Sequence, residues 1–135
     1  MPSINLNEIQ NYSSVFKNYF RNNHKIIIGI TRYKGAEIFN SMALLDNNLK
    51  LISVYDKNNL VPFGEYLPFE NFFKNYGFKK ITQGYQSFSS SNRRYLININ
   101  DIRFLPLICY ESIFPNFVRD GLNNQTDLLI NISKL

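Results

Sequence analysis

Apolar residues in this chain come in short bursts and never in long ones, and that limits what it can fold into. KIIIGIT (25–31), EIFNSMALLD (37–46), LKLISVYDK (49–57), RYLININ (94–100), IRFLPLICY (102–110) and TDLLINIS (126–133) are each rich in branched or aromatic residues. Asn, Asp, Gly or Lys bounds most of them, so they read as strands separated by turns. Asn47-Asn48 and Asn100-Asp101 are the natural turn sites. None of the runs approaches the roughly 18 residues that a membrane-spanning helix needs. The N-terminus MPSINLNEIQ lacks the basic-then-apolar order of a secretory signal, so none is expected.

Helical spacing occurs in three places. In NLNEIQNYSSVFKNYFRN (5–22) the residues Ile9, Tyr12, Phe16, Tyr19 and Phe20 share one face, which predicts a single amphipathic helix. PFENFFKNYG (68–77) reads as a short helix with Pro68 near its start and Gly77 at its end. SIFPNFVRDGLNN (112–124) predicts another, beginning near Pro115. LVPFGEYLPFE (60–70) holds two prolines and a glycine and is expected to be an ordered loop, whereas ITQGYQSFSSSNRR (81–94) is polar and loop-like. About six strands with helices before and between them predict an α/β or layered α+β fold, with mixed sheets covered by helices. With 135 residues, no linker and no repeat, one domain over 1–135 is expected.

Composition removes several function classes. At 44% hydrophobic and 16% aromatic the chain is not of the disordered kind. Its charge of +5 is spread out, with Lys79-Lys80 and Arg93-Arg94 the only doublets. That pattern argues against a nucleic-acid partner and is compatible with mild attraction to an anionic membrane surface. One cysteine excludes an internal disulfide framework and a Cys-rich zinc site, and no metal or other cofactor is expected.

That cysteine, Cys109, stands at the end of an apolar strand with a helix predicted just after it. A helix start favours negative charge on a thiolate, and backbone N–H groups there can receive an oxyanion. The competing reading is a buried thiol that fills space. His24, the single histidine, lies in a polar turn before a strand, so a Cys-His pair is not expected. Lys57, at a strand end, and Glu65, eight residues on in a proline-fixed loop, are the remaining candidates for a base and a cation.

YDKNNLVPFGEYLP (55–68) and PLICYESIFPNFVR (106–119) together resemble the apolipoprotein N-acyltransferase branch of the nitrilase, or carbon–nitrogen hydrolase, superfamily. The resemblance runs from the strand at 25 through TDLLINIS, and the Lys-x-x-Leu-Val-Pro-Phe-Gly-Glu-Tyr element is specific to that branch. It implies a four-layer αββα sandwich, incomplete at both ends, and a Glu-Lys-Cys triad. By motif position Cys109 is the nucleophile, Lys57 the triad lysine and an oxyanion partner, and Glu65 a supporting carboxylate. Tyr110 supplies a backbone oxyanion donor and Glu111 a further supporting carboxylate. The implied reaction moves an acyl chain from a phospholipid to Cys109 as a thioester, then to the α-amine of a diacylglyceryl-cysteine lipoprotein. The implied setting is the bacterial inner membrane, with the domain on the periplasmic side.

Three departures temper that expectation. The chain contains no tryptophan, hence no Trp-Pro-Glu stretch for the general-base glutamate, and Glu8 lacks that context. It has no spanning helices, and it reads NISKL where the branch continues Asn-Ile-Ser-Asn-Asp-Ala-Trp-Phe-Gly. A catalytic-domain fragment with very weak or no turnover alone is therefore expected. An inactive remnant of a split gene, a lipid- or protein-binding module, and a generic nitrilase-type amidase are the alternatives.

Overall fold

The structure, a computed structural model, describes residues 5–66, 68–69 and 87–133. A 3₁₀ segment, Leu6–Tyr12, leads into helix α1, Ser13–Tyr19. Strands β1 (Ile26–Lys34), β2 (Glu37–Leu45) and β3 (Leu51–Asp56) form an antiparallel meander. Strands β4 (Ile97–Ile99), β5 (Ile102–Ile108) and β6 (Leu128–Ile132) form a second sheet, with β4 antiparallel and β6 parallel to β5. Between β5 and β6 run a 3₁₀ turn, Cys109–Ile113, and helix α2, Pro115–Gly121.

Strand alternation sorts the apolar residues onto two faces. Met42, Leu44 and Tyr55 of the first sheet meet Ile97, Phe104 and Ile108 of the second in one core. On the opposite face of the first sheet, Ile26, Ile30, Ala43 and Leu45 pack under Ile9, Phe16 and Phe20 of the N-terminal helical segment. Leu105, buried on the outer face of β5, lies against Gly121 of α2. The layers therefore run helix, sheet, sheet, helix, which is the arrangement expected of these elements. Burying each of these large apolar side chains contributes about 1.5–3 kcal/mol, and both cores rest on the same three-stranded meander.

The local differences from expectation have physical causes. The helix over 5–22 divides into a 3₁₀ and an α segment. Its asparagines at 5, 7, 11 and 18 are weak helix formers, Tyr12 provides no side-chain cap, and Asn5 is drawn into a bridge with Thr31. The Asn47-Asn48 turn is wider than two residues. Asp46 Oδ1 accepts from the backbone N–H groups of Asn48 and Lys50, both at 2.8 Å, and Leu49 turns left-handed (φ 60°) to bury its side chain. Strand β6 keeps Ile130 and Ile132 on the inter-sheet core but leaves Leu128 and Leu129 exposed. The helix expected at 68–77 and most of the 81–94 segment lie outside the described residues.

Helix α2 sits so close to β5 that a Cβ on Gly121 would fall 2.8 Å from Leu105 Cδ1 and 3.1 Å from Arg94 Cδ. Alanine gains up to about 1 kcal/mol of helix propensity over glycine. Overpacking against the fully buried Leu105 costs about 1–3 kcal/mol and is the larger effect. Gly121→Ala should therefore lower the urea midpoint, by about 1 kcal/mol of stability; a midpoint raised above wild type would show that the gap closes without strain.

Candidate active site

Lys57 follows β3 directly, and alternation turns it, like Tyr55, toward the inter-sheet side, whereas Asp56 faces the other way. Asp56 is held there by Arg32 Nε at 2.9 Å and Ser41 Oγ at 2.6 Å. The carboxylate that meets Lys57 is instead Glu65, with Nζ to Oε2 at 2.6 Å and the lysine 1% exposed. The intervening loop is built for that return. Phe63 adopts φ 63°, its N–H bonding Tyr66 O at 2.8 Å, while the N–H of Glu65 bonds Val61 O at 2.8 Å. Glu65 also accepts from the N–H of Val61 at 2.9 Å and from Asn40 Nδ2 at 2.6 Å. A buried ammonium is tolerable only with such a partner, because its desolvation is otherwise very costly.

Cys109 is exposed and takes φ 53° at the end of β5. A non-glycine residue in the left-handed region costs about 1–2 kcal/mol. The turn is nevertheless held from several sides. The carbonyl oxygen of Cys109 accepts from Ser112 Oγ at 3.1 Å and from Asn131 Nδ2 at 3.2 Å. Two residues on, Glu111 folds back so that Oε2 accepts from the N–H of Ile108 at 2.8 Å.

Glu111 is fully buried and joins the two halves of the site. Oε1 accepts from the N–H groups of Asn58 at 2.8 Å and Asn59 at 3.1 Å, the two residues after Lys57. The hydroxyl of Tyr55 donates to the same carboxylate, 3.1 and 3.2 Å from its two oxygens, and itself accepts from Asn58 Nδ2 at 2.8 Å. Burial, with the charge of Glu111 beside it, pushes the Tyr55 phenol well above the ordinary tyrosine value. Tyr55 is therefore a neutral donor at any ordinary pH.

Of the residues singled out from the sequence, Lys57 and Glu65 are in direct contact, and Glu111 ties the turn carrying Cys109 and Tyr110 to the loop after Lys57. Tyr110 is half exposed, its ring edge-on to Phe114. His24 is an exposed turn residue whose Nδ1 accepts from the N–H of Arg21 at 2.9 Å. Asn40, Tyr55, Asn58 and Asn131 were not anticipated. Asn131 could have been noticed as the single polar residue of an otherwise apolar strand.

The polar 87–96 segment also packs along the site. The N–H of Phe88 bonds Glu65 O at 2.8 Å and the N–H of Ser91 bonds Lys57 O at 3.0 Å. A cleft of about 660 Å³ opens between this segment, Asn58-Asn59 and α2, with Arg94 stacked on Phe117 at 3.9 Å in its wall. Neither Cys109 nor Lys57 lines it. Among the described residues there is no cluster of metal-ligating side chains, and no helix is long and apolar enough to cross a membrane.

Residues 16–135 match the carbon–nitrogen hydrolase family. An apolipoprotein N-acyltransferase of Brucella suis is 43% identical over 89 residues, 62% of this chain and 17% of that protein. The apolipoprotein N-acyltransferase of Rickettsia prowazekii is 42% identical over 98 residues, 72% of this chain and 19% of that protein. The chain thus spans about a fifth of the length of these curated relatives. In fold it is similar to a variant of the Nesterenkonia AN1 amidase from the nitrilase superfamily, with a TM-score of 0.61 at 14% identity, covering 93% of this chain and 40% of that one.

Two outcomes follow from this geometry. Glu65→Ala leaves the buried Lys57 ammonium without its partner and should destabilise the fold by about 3–5 kcal/mol in urea titration; a loss below about 1 kcal/mol would mean that water reaches the lysine. Tyr55 releases its proton more readily unfolded than folded, so its contribution is complete below about pH 10 and is lost as pH rises from there through the folded value. Tyr55→Phe should lower stability at pH 7 by about 1–3 kcal/mol and flatten the alkaline decline. A smaller decline should persist from Tyr95, which burial and Asp56 also raise. An unchanged alkaline slope in Tyr55→Phe would contradict this assignment.

Proposed function

Because this chain belongs to the carbon–nitrogen hydrolase family, we propose that it carries the nucleophile side of an acyl-transfer site and that residues 1–135 form part of one such domain. The observation that carries the reading is the buried Lys57–Glu65 pair joined through Glu111 to an exposed cysteine on a left-handed turn. The relatives named apolipoprotein N-acyltransferase support a lipoprotein amine as acceptor and a phospholipid ester as donor.

In this reading the Cys109 sulfur attacks the ester carbonyl carbon, and the thiol proton passes to solvent in the isolated chain, which is why acylation is expected to be slow. The tetrahedral intermediate collapses with cleavage of the carbon–oxygen bond, and the glycerol oxygen leaves with a proton from solvent, giving a thioester. Lys57 and the N–H of Tyr110 stabilise the oxyanion. Glu65 holds the lysine in place, and Glu111 keeps the two loops in register. The lipoprotein α-amine then attacks the thioester, a carbon–nitrogen bond forms, and the thiol is restored. Such substrates support a working site at a bacterial membrane surface, and the family resemblance supports the periplasmic side.

The test is single-event trapping. The purified chain is incubated with phospholipid–detergent micelles and then read by intact mass. A hydroxylamine-labile acyl adduct on Cys109, absent from Cys109→Ala and discharged by a diacylglyceryl-cysteine peptide, is expected at sub-stoichiometric level. An adduct from a short-chain amide and none from phospholipid would replace this reading with an amidase. No adduct from either would indicate an inactive remnant.

A further inference from the structure

The nucleophile's turn is held by contacts that the proposed chemistry does not use. Asn131 lies on β6, paired with Leu107, the second residue before Cys109. Its carboxamide nitrogen donates to Cys109 O at 3.2 Å and to Ser112 Oγ at 3.0 Å, and Ser112 Oγ donates in turn to Cys109 O at 3.1 Å. Two donors from different elements thus converge on one carbonyl. That carbonyl belongs to the peptide unit joining Cys109 to Tyr110, which is planar and trans. In such a unit the C=O and N–H point in opposite directions, so fixing the oxygen also fixes where the N–H of Tyr110 aims.

We infer that Asn131 and Ser112 form a clasp on the Cys109–Tyr110 peptide and act as positioning residues for the oxyanion donor. The inference rests on the acyl-enzyme reading above. The clasp also explains a polar residue in LLINI, since Leu128, Leu129, Ile130 and Ile132 are all apolar. Without it, the left-handed Cys109 is free to let the peptide plane rotate toward the relaxed backbone regions, and the N–H swings away from the developing charge. Sulfur nucleophilicity itself is untouched, because neither Asn131 nor Ser112 bonds Sγ in the structure.

Two reagents separate these effects. A p-nitrophenyl ester acylates a thiol through an oxyanion and releases a leaving group that needs no proton, whereas iodoacetamide alkylates it by direct displacement with no oxyanion. Both rates at Cys109 are measured by mass on the 135-residue chain, as wild type, Asn131→Leu and Ser112→Ala. Leucine suits the apolar strand, and Ser112→Ala probes the clasp from the other element. The expected result is an acylation rate reduced about tenfold or more in each variant, with alkylation within about twofold of wild type. An unchanged ratio of the two rates overturns the clasp, and so does an equal fall in both. A wild-type cysteine that is alkylated but never acylated overturns the acyl-enzyme reading instead, and the clasp with it.

Discussion

A fully buried carboxylate holds this molecule's two working loops together. Glu111 accepts bonds from three backbone N–H groups and from the Tyr55 hydroxyl, and those donors come from both sheets. A buried charge without such partners costs several kcal/mol, so the sequence that places Glu111 there must also place its donors. Tyr55 is locked as a proton donor, the loop after Lys57 is drawn against the second sheet, and Ile108 is tied into the turn that exposes Cys109. Removing the charge would leave four donors to find other partners.

A second buried charge is handled differently. Lys57 is neutralised by Glu65, which is fixed in turn by Asn40 and by the backbone of its own loop. Alternation along β3 decides which acid does this: Asp56, though adjacent in sequence, faces the opposite side and pairs with Arg32. The rigid Val61–Tyr66 turn then brings back a carboxylate from eight residues away. Two buried charged side chains, Glu111 and Lys57, are thus each satisfied by contacts that the meander and its loops supply.

Much of this was legible in the chain itself. Short apolar runs set the strands, Asn100-Asp101 set the β4–β5 turn, and Pro115 set the start of α2. The family resemblance brought Cys109, Lys57, Glu65, Tyr110 and Glu111 together by motif. What stayed hidden depends on partners distant in sequence. That Asn40 holds Glu65, Tyr55 holds Glu111 and Asn131 reaches the Cys109 carbonyl follows from strand register, which no local pattern encodes. The N-terminal segment is helical and amphipathic as its apolar spacing predicts, but its asparagines and uncapped start give the first half tighter turns. Tertiary packing of Ile9 rather than propensity holds it in place.

The latch formed by Glu111 spans 53 residues of chain to Asn58. Strands β1 to β3 are joined by short local turns, whereas that contact closes a loop of 53 residues and so carries the larger entropic cost. Loop-closure entropy alone orders the meander before the site. In that order, a chain with only its meander formed would lack the register that ties the loop after Lys57 to the turn of Cys109, and the thiol would stand without its supporting contacts.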